Sequence, residues 1–213
     1  MPFLLFFVIS ASANADFMRY RYLPLPHGGS DPGKVSANGV SEKDINLALA
    51  LKLRDLLEQK GIEVILTRDA DVGLHPSGVS NKKAADMQAR CQIITEANPV
   101  FTISLHQNSY PSPEVKGAQV FYYEQSEKGK ILATILQENL ISRVDPENTR
   151  SAKANDSYYL LKKTPTPTII VECGFLSNPT EAELLLDENY QNKLVRAIYM
   201  GILEYLESES LLT

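Results

Sequence analysis

The segment "VFTISLHQN", residues 100–108, sets a run of apolar and β-branched residues directly before a histidine and two amides. A short apolar run of this kind is typical of a buried β-strand. A lone histidine at the end of a strand more often has a structural role than a chemical one. His106 therefore indicates a functional site only if the fold brings other residues that can bind a ligand close to it.

Strands and helices alternate along the rest of the chain. Helical periodicity predicts helices at 41–60, 81–97, 127–142, 179–187 and 188–207, and apolar runs predict strands at 62–66, 100–106, 118–123 and 168–175. This order predicts a single α/β domain with a mostly parallel twisted sheet and helices on both faces. Function in such sheets collects at the carboxyl ends of the strands, where His106 and Glu172 lie.

Composition excludes several classes of function. The chain has 213 residues and a net charge of −5, which argues against a nucleic acid as partner because phosphate contacts need a basic face. The sequence contains neither a P-loop nor a G-x-G-x-x-G motif, so no motif in it supports nucleotide binding. The two cysteines, Cys91 and Cys173, lie in apolar patterns and are predicted to be buried thiols. A metal site would therefore need histidine and carboxylate ligands.

The N-terminus resembles a secretory signal over residues 1–15, where an apolar run precedes Ala13-Asn14-Ala15. We therefore predict an exported, extracytoplasmic protein. The run is too short for a transmembrane helix, so the chain is not predicted to be an integral membrane protein. A misassigned start or a buried N-terminal strand remains the alternative. Residues 16–26 are predicted to be irregular, 27–207 to form the main domain and 208–213 to be a tail.

Four residues form a candidate metal site: His27, Glu42, His106 and Glu172. Catalytic zinc takes three histidine or carboxylate ligands and keeps one position open for water. A further glutamate outside the metal shell can serve as general base. Spacing alone leaves a structural role open for each of the four, because distant histidines and acidic residues at helix N-termini are common.

Four motifs, in this order, resemble the amidase-3 zinc family of N-acetylmuramoyl-L-alanine amidases, and in particular its spore-cortex branch. They are "HGGSDPG" (27–33), "SEKDINL" (41–47), "ISLHQN" (103–108) and "IIVECGFLSN" (169–178). The resemblance, which runs from about residue 27 to 206, implies one zinc ion bound by His27, Glu42 and His106, with Glu172 as the catalytic residue. Asn108 matches the amide residue of the same family motif. Its expected role is to support the metal site or to orient the substrate, and the alternative is that it only forms a turn.

The resemblance implies a peptidoglycan hydrolase that cleaves the amide between N-acetylmuramic acid and L-alanine. Its expected setting is the formation of muramic lactam in the spore cortex, in the cell wall or the forespore intermembrane space. An activating protein partner is also expected, and the oligomeric state stays open. Two alternatives remain: a non-catalytic or partner-activated cell-wall-binding protein with this fold, and a different zinc hydrolase such as a carboxypeptidase.

One stretch departs from the family pattern. Relatives carry a hydrophobic strand before the HGG motif, whereas this chain has "RYRYLPLP" at 19–26, and Pro24 and Pro26 remove two backbone donors. We therefore predict that the first strand is degraded, displaced or replaced, and that His27 is held loosely, so that zinc binds weakly to the isolated chain. Asp31 is expected to form a turn and not to support a metal ligand. Arg68 is expected to brace a loop, with contact to a substrate carboxylate as the alternative. Arg90 is expected to be solvated or in a salt bridge, with binding of an anionic stem-peptide group as the alternative.

Overall fold

The computed structural model describes residues 21–210, so the signal-like segment at 1–15 lies outside the described residues. The described strands are β1 (Arg21–Leu23), β2 (Val64–Leu66), β3 (Phe101–Asn108), β4 (Gln119–Tyr123), β5 (Lys153–Asn155) and β6 (Thr168–Phe175). The described helices are α1 (Glu42–Gln59), α2 (Lys82–Ala97), α3 (Glu127–Arg143), α4 (Tyr159–Lys163), α5 (Pro179–Leu184) and α6 (Glu188–Ser208). None of these helices is long and apolar enough to cross a membrane.

The six strands form one sheet in the order β2-β1-β3-β6-β4-β5. Every neighbouring pair is parallel except β4 with β6, which is antiparallel. The prediction of a mostly parallel sheet is therefore confirmed. β2 and β3 follow β1 in sequence but lie on opposite sides of it, so the chain reverses its direction of travel across the sheet at β1. Ligands of parallel α/β sheets bind at such a reversal.

Helices cover both faces of the sheet, as predicted, but unequally. On one face, alternate residues of β3 (Phe101, Ile103 and Leu105) join the main core, which is built with α1, α3 and α6. On the other face two smaller apolar clusters form around α2 and α4, and they contain Cys91 and Ile170. The side-chain alternation of a strand places His106 and Glu172 on this second, thinner face. Both cysteines are free and buried, as predicted.

The first strand is short but lies inside the sheet, between β2 and β3. Residues 21–23 pair with β2, and Arg21 and Tyr22 also pair with β3, so the prediction that the segment 16–26 is irregular is wrong for these three residues. Pro24 ends the strand without displacing it. Beyond it, hydroxyl groups replace the ladder: the Leu25 N–H donates to Thr67 Oγ1 at 2.9 Å, and Ser104 Oγ donates to the Pro24 carbonyl at 3.2 Å.

Two short elements were missing from the sequence prediction. The strand β5 has only three residues, at the edge of the sheet, and the helix α4 has only five. The longer elements agree with their predicted ranges to within a few residues: α1, for example, was predicted at 41–60 and spans Glu42–Gln59. Ser41 precedes α1 as expected, although its side chain makes no capping hydrogen bond.

Candidate metal centre

The two strand-end residues of the site are neighbours across the sheet. His106 of β3 and Glu172 of β6 are register partners in a parallel pair of eight-residue strands. Glu42, the first residue of α1, contacts His106 and is 2% exposed. The predicted common rim of His106 and Glu172 is therefore confirmed, and it places both side chains beside a helix N-terminus.

Three potential ligands converge on one point. His27 Nε2 lies 3.3 Å from Glu42 Oε2, and His106 Nδ1 lies 3.0 Å from Glu42 Oε1. The ligand atoms of the three residues lie within 4.8 Å of one another. Two imidazoles and one carboxylate are the donor set that catalytic zinc sites use. The chain therefore brings together the three residues that the sequence nominated as metal ligands.

The loop that carries His27 has an unusual backbone. His27 itself has φ 61°, a left-handed conformation that is uncommon for a residue with a side chain. At Gly33, with φ 72°, an added Cβ would lie 2.6 Å from Glu42 Oε2 and 2.7 Å from His27 Cδ2. The loop closes this tightly around the two ligands only because residue 33 has no side chain.

Asp31 orients the imidazole of His27. Its Oδ2 lies 2.9 Å from His27 Nδ1, which leaves Nε2 facing Glu42. Burial acts to lower the pKa of His27, but hydrogen bonds with Glu42 and Asp31 outweigh it and the pKa is raised. Histidine ligands of metals usually donate their second N–H to a carboxylate in this way. Asp31 also accepts the Gly33 N–H at 3.2 Å, so the expectation of a turn former covers only half of its role.

Two buried arginines brace the same loop. Arg90 of α2 is 2% exposed; it donates to the His27 carbonyl at 3.2 Å and to Thr67 Oγ1 at 3.0 Å, and it forms a salt bridge with Asp86. Arg68 donates to the Pro26 carbonyl next to His27 at 3.5 Å and also to the carbonyls of Lys43 and Ala70, which confirms the predicted bracing role. Arg90 is in a salt bridge, as one of its two expected alternatives, but it is not solvated.

Backbone donors fix the carboxylate of Glu42. The Lys34 N–H donates to Oε2 at 2.8 Å, and the Gln107 N–H donates to Oε1 at 3.2 Å. Burial acts to raise the pKa of Glu42, but the hydrogen bonds with His106 and His27 dominate and hold its pKa well below the ordinary value. Glu42 is therefore an anion that is ready to bind a cation, in a place tied both to the His27 loop and to β3.

Glu172 has the opposite environment. It is 8% exposed, and its Oε2 is buried without a hydrogen-bond partner. Burial raises its pKa to about 7, opposed in part by the charge of His106. A carboxyl group whose pKa lies near neutrality can both accept and return a proton. An unpartnered buried oxygen is costly to maintain, which points to a function in chemistry and not in packing.

These side chains lie in a cleft of about 430 Å³, here called the catalytic cleft. Its lining residues are His27, Gly33, Lys34, Glu42, Lys83, His106, Gln107, Asn108, Ser109, Tyr158 and Glu172. Asn108 lines this cleft, and its Oδ1 accepts the Ser109 N–H at 2.8 Å, as a turn residue would do. Tyr158 is 36% exposed at the edge of the cleft and packs edge-on against Phe121.

Comparison with known families identifies the fold and its chemistry. Residues 23–204 match the Amidase_3 family, which is described as N-acetylmuramoyl-L-alanine amidase. The match begins at Leu23 of β1. The chain is 39% identical over 187 residues to the germination-specific N-acetylmuramoyl-L-alanine amidase of Bacillus subtilis, a match that covers 86% of this chain and 78% of that protein.

Solved structures give the same answer. The CwlD amidase of Clostridioides difficile, solved in complex with the GerS lipoprotein, is 41% identical, with a TM-score of 0.87 and coverage of 89% of this chain and 99% of that one. The amidase AmiC2 of Nostoc punctiforme is 31% identical, with a TM-score of 0.77 and coverage of 89% and 98%. The identities with the germination-specific and CwlD enzymes exceed that with AmiC2, which places the chain nearer to the CwlD-like branch.

Proposed function

The chain belongs to the Amidase_3 family and is an N-acetylmuramoyl-L-alanine amidase, and we propose that it works with one zinc ion. The proposed ligands are His27, Glu42 and His106. The observation that carries this proposal is the convergence of their ligand atoms within 4.8 Å around a buried anionic carboxylate. The orientation of His27 by Asp31 adds a feature typical of metal-binding histidines.

The proposed substrate bond is the amide between the lactyl group of N-acetylmuramic acid and L-alanine in peptidoglycan. When bound, zinc supplies Lewis-acid chemistry, which polarises a carbonyl and lowers the pKa of water from 15.7 toward about 7. The protein contributes the fixed positions of the ligands: a backbone-held carboxylate, an imidazole on a strand and an imidazole on a braced loop.

Glu172 is the proposed general base and acid. Its carboxyl lies on the strand next to His106 and faces the catalytic cleft, and its raised pKa keeps proton exchange possible near neutral pH. In this role it takes a proton from the attacking water and returns it to the nitrogen of the departing alanine. Since the water is the nucleophile, no covalent intermediate with the enzyme forms.

Asn108 is proposed to help orient the substrate. It lies two positions beyond His106 in β3 and lines the cleft, while its side-chain oxygen is already engaged with the Ser109 N–H. The amide nitrogen is the group on Asn108 that is able to donate to a substrate carbonyl.

The proposed setting is the maturation of the spore cortex, where stem peptides are removed on the way to muramic lactam. In this proposal residues 1–15 direct export to the cell wall or the forespore intermembrane space, and 27–207 form the catalytic domain, with 208–213 as a tail. The strand β1 from the preceding segment completes its sheet. A protein partner is also proposed, since the related CwlD enzyme was solved in complex with a lipoprotein.

The test combines metal analysis with product analysis. The purified chain, titrated with zinc, should bind one zinc per chain at saturation and should then release peptides that begin with L-alanine from muropeptides. The matching sugar product should carry a free lactyl carboxyl group. A cut within the stem peptide would contradict the amidase assignment, and cleavage at full rate by a rigorously metal-free chain would contradict the role of zinc.

A further inference from the structure

A small cavity, here called the side cavity, adjoins the catalytic cleft on the thinner face of the sheet. Its volume is about 180 Å³. His106, Tyr158 and Glu172 line both the cleft and the side cavity, so the two meet at the reacting groups. The rest of its wall is mainly apolar and comes from α2, α4 and β6, with Met87, Leu160 and Ile170 among the contributing residues.

The lining decides what kind of group the side cavity can take. Two polar residues, Arg90 and Ser104, also contribute to its wall, but both have partners elsewhere. Arg90 binds the His27 carbonyl and Thr67, and Ser104 donates to the Pro24 carbonyl. Apart from His106, Tyr158 and Glu172, which the side cavity shares with the catalytic cleft, its wall offers no further polar partner, so a charged group that lies deeper in the cavity would lose its water at a cost. The side cavity therefore suits a small apolar group.

Its position relative to the scissile amide identifies that group. Glu172 lines the side cavity together with one proposed metal ligand, His106, whereas the other two proposed ligands, His27 and Glu42, line only the catalytic cleft. A residue that gives a proton to the leaving nitrogen must lie about 2.6–3.2 Å from it. The Cβ of the alanyl residue is two bonds from that nitrogen. The side chain on the nitrogen side of the amide is therefore the substrate group that comes nearest to the cavity on the Glu172 side.

We propose that the side cavity is the subsite for the side chain of the first stem-peptide residue, and that Met87 and Tyr158 limit the size of that side chain. This inference rests on the proposed roles of the metal centre and Glu172. The cavity is larger than one methyl group needs, since a water molecule occupies about 30 Å³ in the liquid. The subsite therefore accepts L-alanine and has room for at least one further carbon.

The test uses the zinc-loaded full chain and a series of N-acetylmuramoyl-X-D-isoglutamine substrates in which X is glycine, L-alanine or L-2-aminobutyrate. Burial of one methylene-sized group corresponds to about a fourfold change in kcat/KM. We expect kcat/KM for glycine to be about fourfold below that for alanine. We expect the value for aminobutyrate to equal or exceed that for alanine, by up to about fourfold.

The variant Met87→Phe puts a bulkier and more rigid side chain against the side cavity from α2, so it should narrow the cavity and shift the order of the three substrates toward glycine. Gln88→Phe is the matched control, because Gln88 is the next residue of α2 and is exposed. It should keep the wild-type order. The order of substrates is compared within each variant, so partial unfolding lowers all three rates alike and leaves the result readable. Met87→Ala should extend acceptance to L-norvaline.

Three results would overturn the proposal. The first is equal kcat/KM for all three substrates in the wild type, and the second is an unchanged order of substrates in Met87→Phe. The third is that Met87→Phe changes the preference for the lactyl methyl group and not the preference at X. The last is measured with a glycolyl analogue, which lacks the lactyl methyl group. A failure of the proposed function has a different signature, because then no substrate of the series is cut at its muramoyl amide.

Discussion

The strand ends that carry His106 and Glu172 differ from the loop that carries His27 in what holds them. His106 and Glu172 are fixed by the register of β3 and β6, two long strands in the middle of the sheet. His27 follows a three-residue strand and has a left-handed backbone. Its position depends on side chains from elsewhere, chiefly Asp31 beside its ring and Arg90 at its carbonyl.

This difference separates two ways of building one site. Backbone hydrogen bonds between β3 and β6 position Glu172 and the ligand His106, and replacement of a single side chain leaves these backbone bonds in place. The His27 loop is held by a few charged and polar contacts, each of which one substitution can remove. Glu42 connects the two regions, since it accepts N–H groups from Lys34 of the loop and from Gln107 of β3.

The largest effect is expected on the strand-end side. Glu172→Gln keeps the shape of the side chain but removes the proton acceptor, so kcat should fall by about 10²–10⁴-fold. Zinc affinity should change little, because Glu172 makes none of the contacts within the ligand cluster. Steady-state kinetics together with zinc analysis of the purified variant measure both quantities. Loss of zinc in step with activity would instead make Glu172 a ligand.

His106→Ala is the comparison for that experiment, and it should lose zinc and activity together because His106 belongs to the ligand cluster. If His106→Ala kept full zinc occupancy, the assignment of the ligand on β3 would be wrong.

A pH effect on stability should follow from the same carboxyl group. Burial raises the pKa of Glu172 from 4.5 to about 7, so the native state holds this proton more tightly than the unfolded state does. Its contribution to stability is therefore present below pH 4.5 and is lost as pH rises through about 7. The difference between the two pKa values corresponds to about 3 kcal/mol.

In the metal-free protein, the stability of Glu172→Gln relative to the wild type should therefore increase as the pH rises from 4.5 to 8. The increase should be at most about 3 kcal/mol, the amount that the pKa shift of Glu172 corresponds to. Urea unfolding in the presence of a chelator at both pH values measures the gain. Glu183→Gln, at an exposed position, is the control and should show little change. A gain for Glu172→Gln of equal size at both pH values would contradict the assigned cause.

On the loop side, two glycines allow a matched test. Gly33 and Gly39 both have positive φ, 72° and 79°, but an added Cβ would strike Glu42 and His27 at Gly33, while at Gly39 it would meet nothing within 4 Å. Both alanine variants should therefore lose about 1–2 kcal/mol from backbone strain. Gly33→Ala should lose about 1–3 kcal/mol more and should also weaken zinc binding.

Chemical unfolding and zinc titration of the two variants measure these differences. Equal stability and equal zinc affinity in Gly33→Ala and Gly39→Ala would mean that the close approach at Gly33 does not constrain the site.

The smallest expected effect comes from the orienting carboxylate of the loop. Asp31→Asn exchanges the anionic acceptor beside His27 Nδ1 for an amide, so zinc affinity should fall by about 10–100-fold. Competition with a chromophoric chelator gives the affinity. Asp69→Asn, at an exposed position, should keep the wild-type value. A wild-type affinity in Asp31→Asn would show that the loop orients His27 without this contact.

The sequence predicted the strand-end region well because its signals are local. An apolar run that ends in a polar residue marks both His106 and Glu172, and the alternation of strands and helices predicts a common rim. The pairing of β3 with β6 could not be predicted from local patterns, because the two strands lie far apart in the chain. The short elements β5 and α4 carry too few residues for a periodic pattern.

The loop region was predicted less well, and for a physical reason. The prolines at 24 and 26 argue against a central strand, but β1 ends before them, and the hydroxyl groups of Thr67 and Ser104 supply hydrogen bonds in place of the missing strand pairing. Asp31 lies four positions after His27, where turn chemistry gave a sufficient explanation. The contact of Arg90 with the His27 carbonyl joins residues 63 positions apart, which no local pattern reveals.

The position of β1 between β2 and β3 affects the order in which the sheet forms. This strand comes first in the described chain, yet one of its partners, Phe101, follows Arg21 by about 80 positions. Pairings over such separations close late, because the chain loses entropy before the contact stabilises it. The His27 loop follows β1 directly, so it reaches Glu42 and His106 only after β1 has inserted between β2 and β3. Uptake of metal during refolding would then report the last step of sheet assembly.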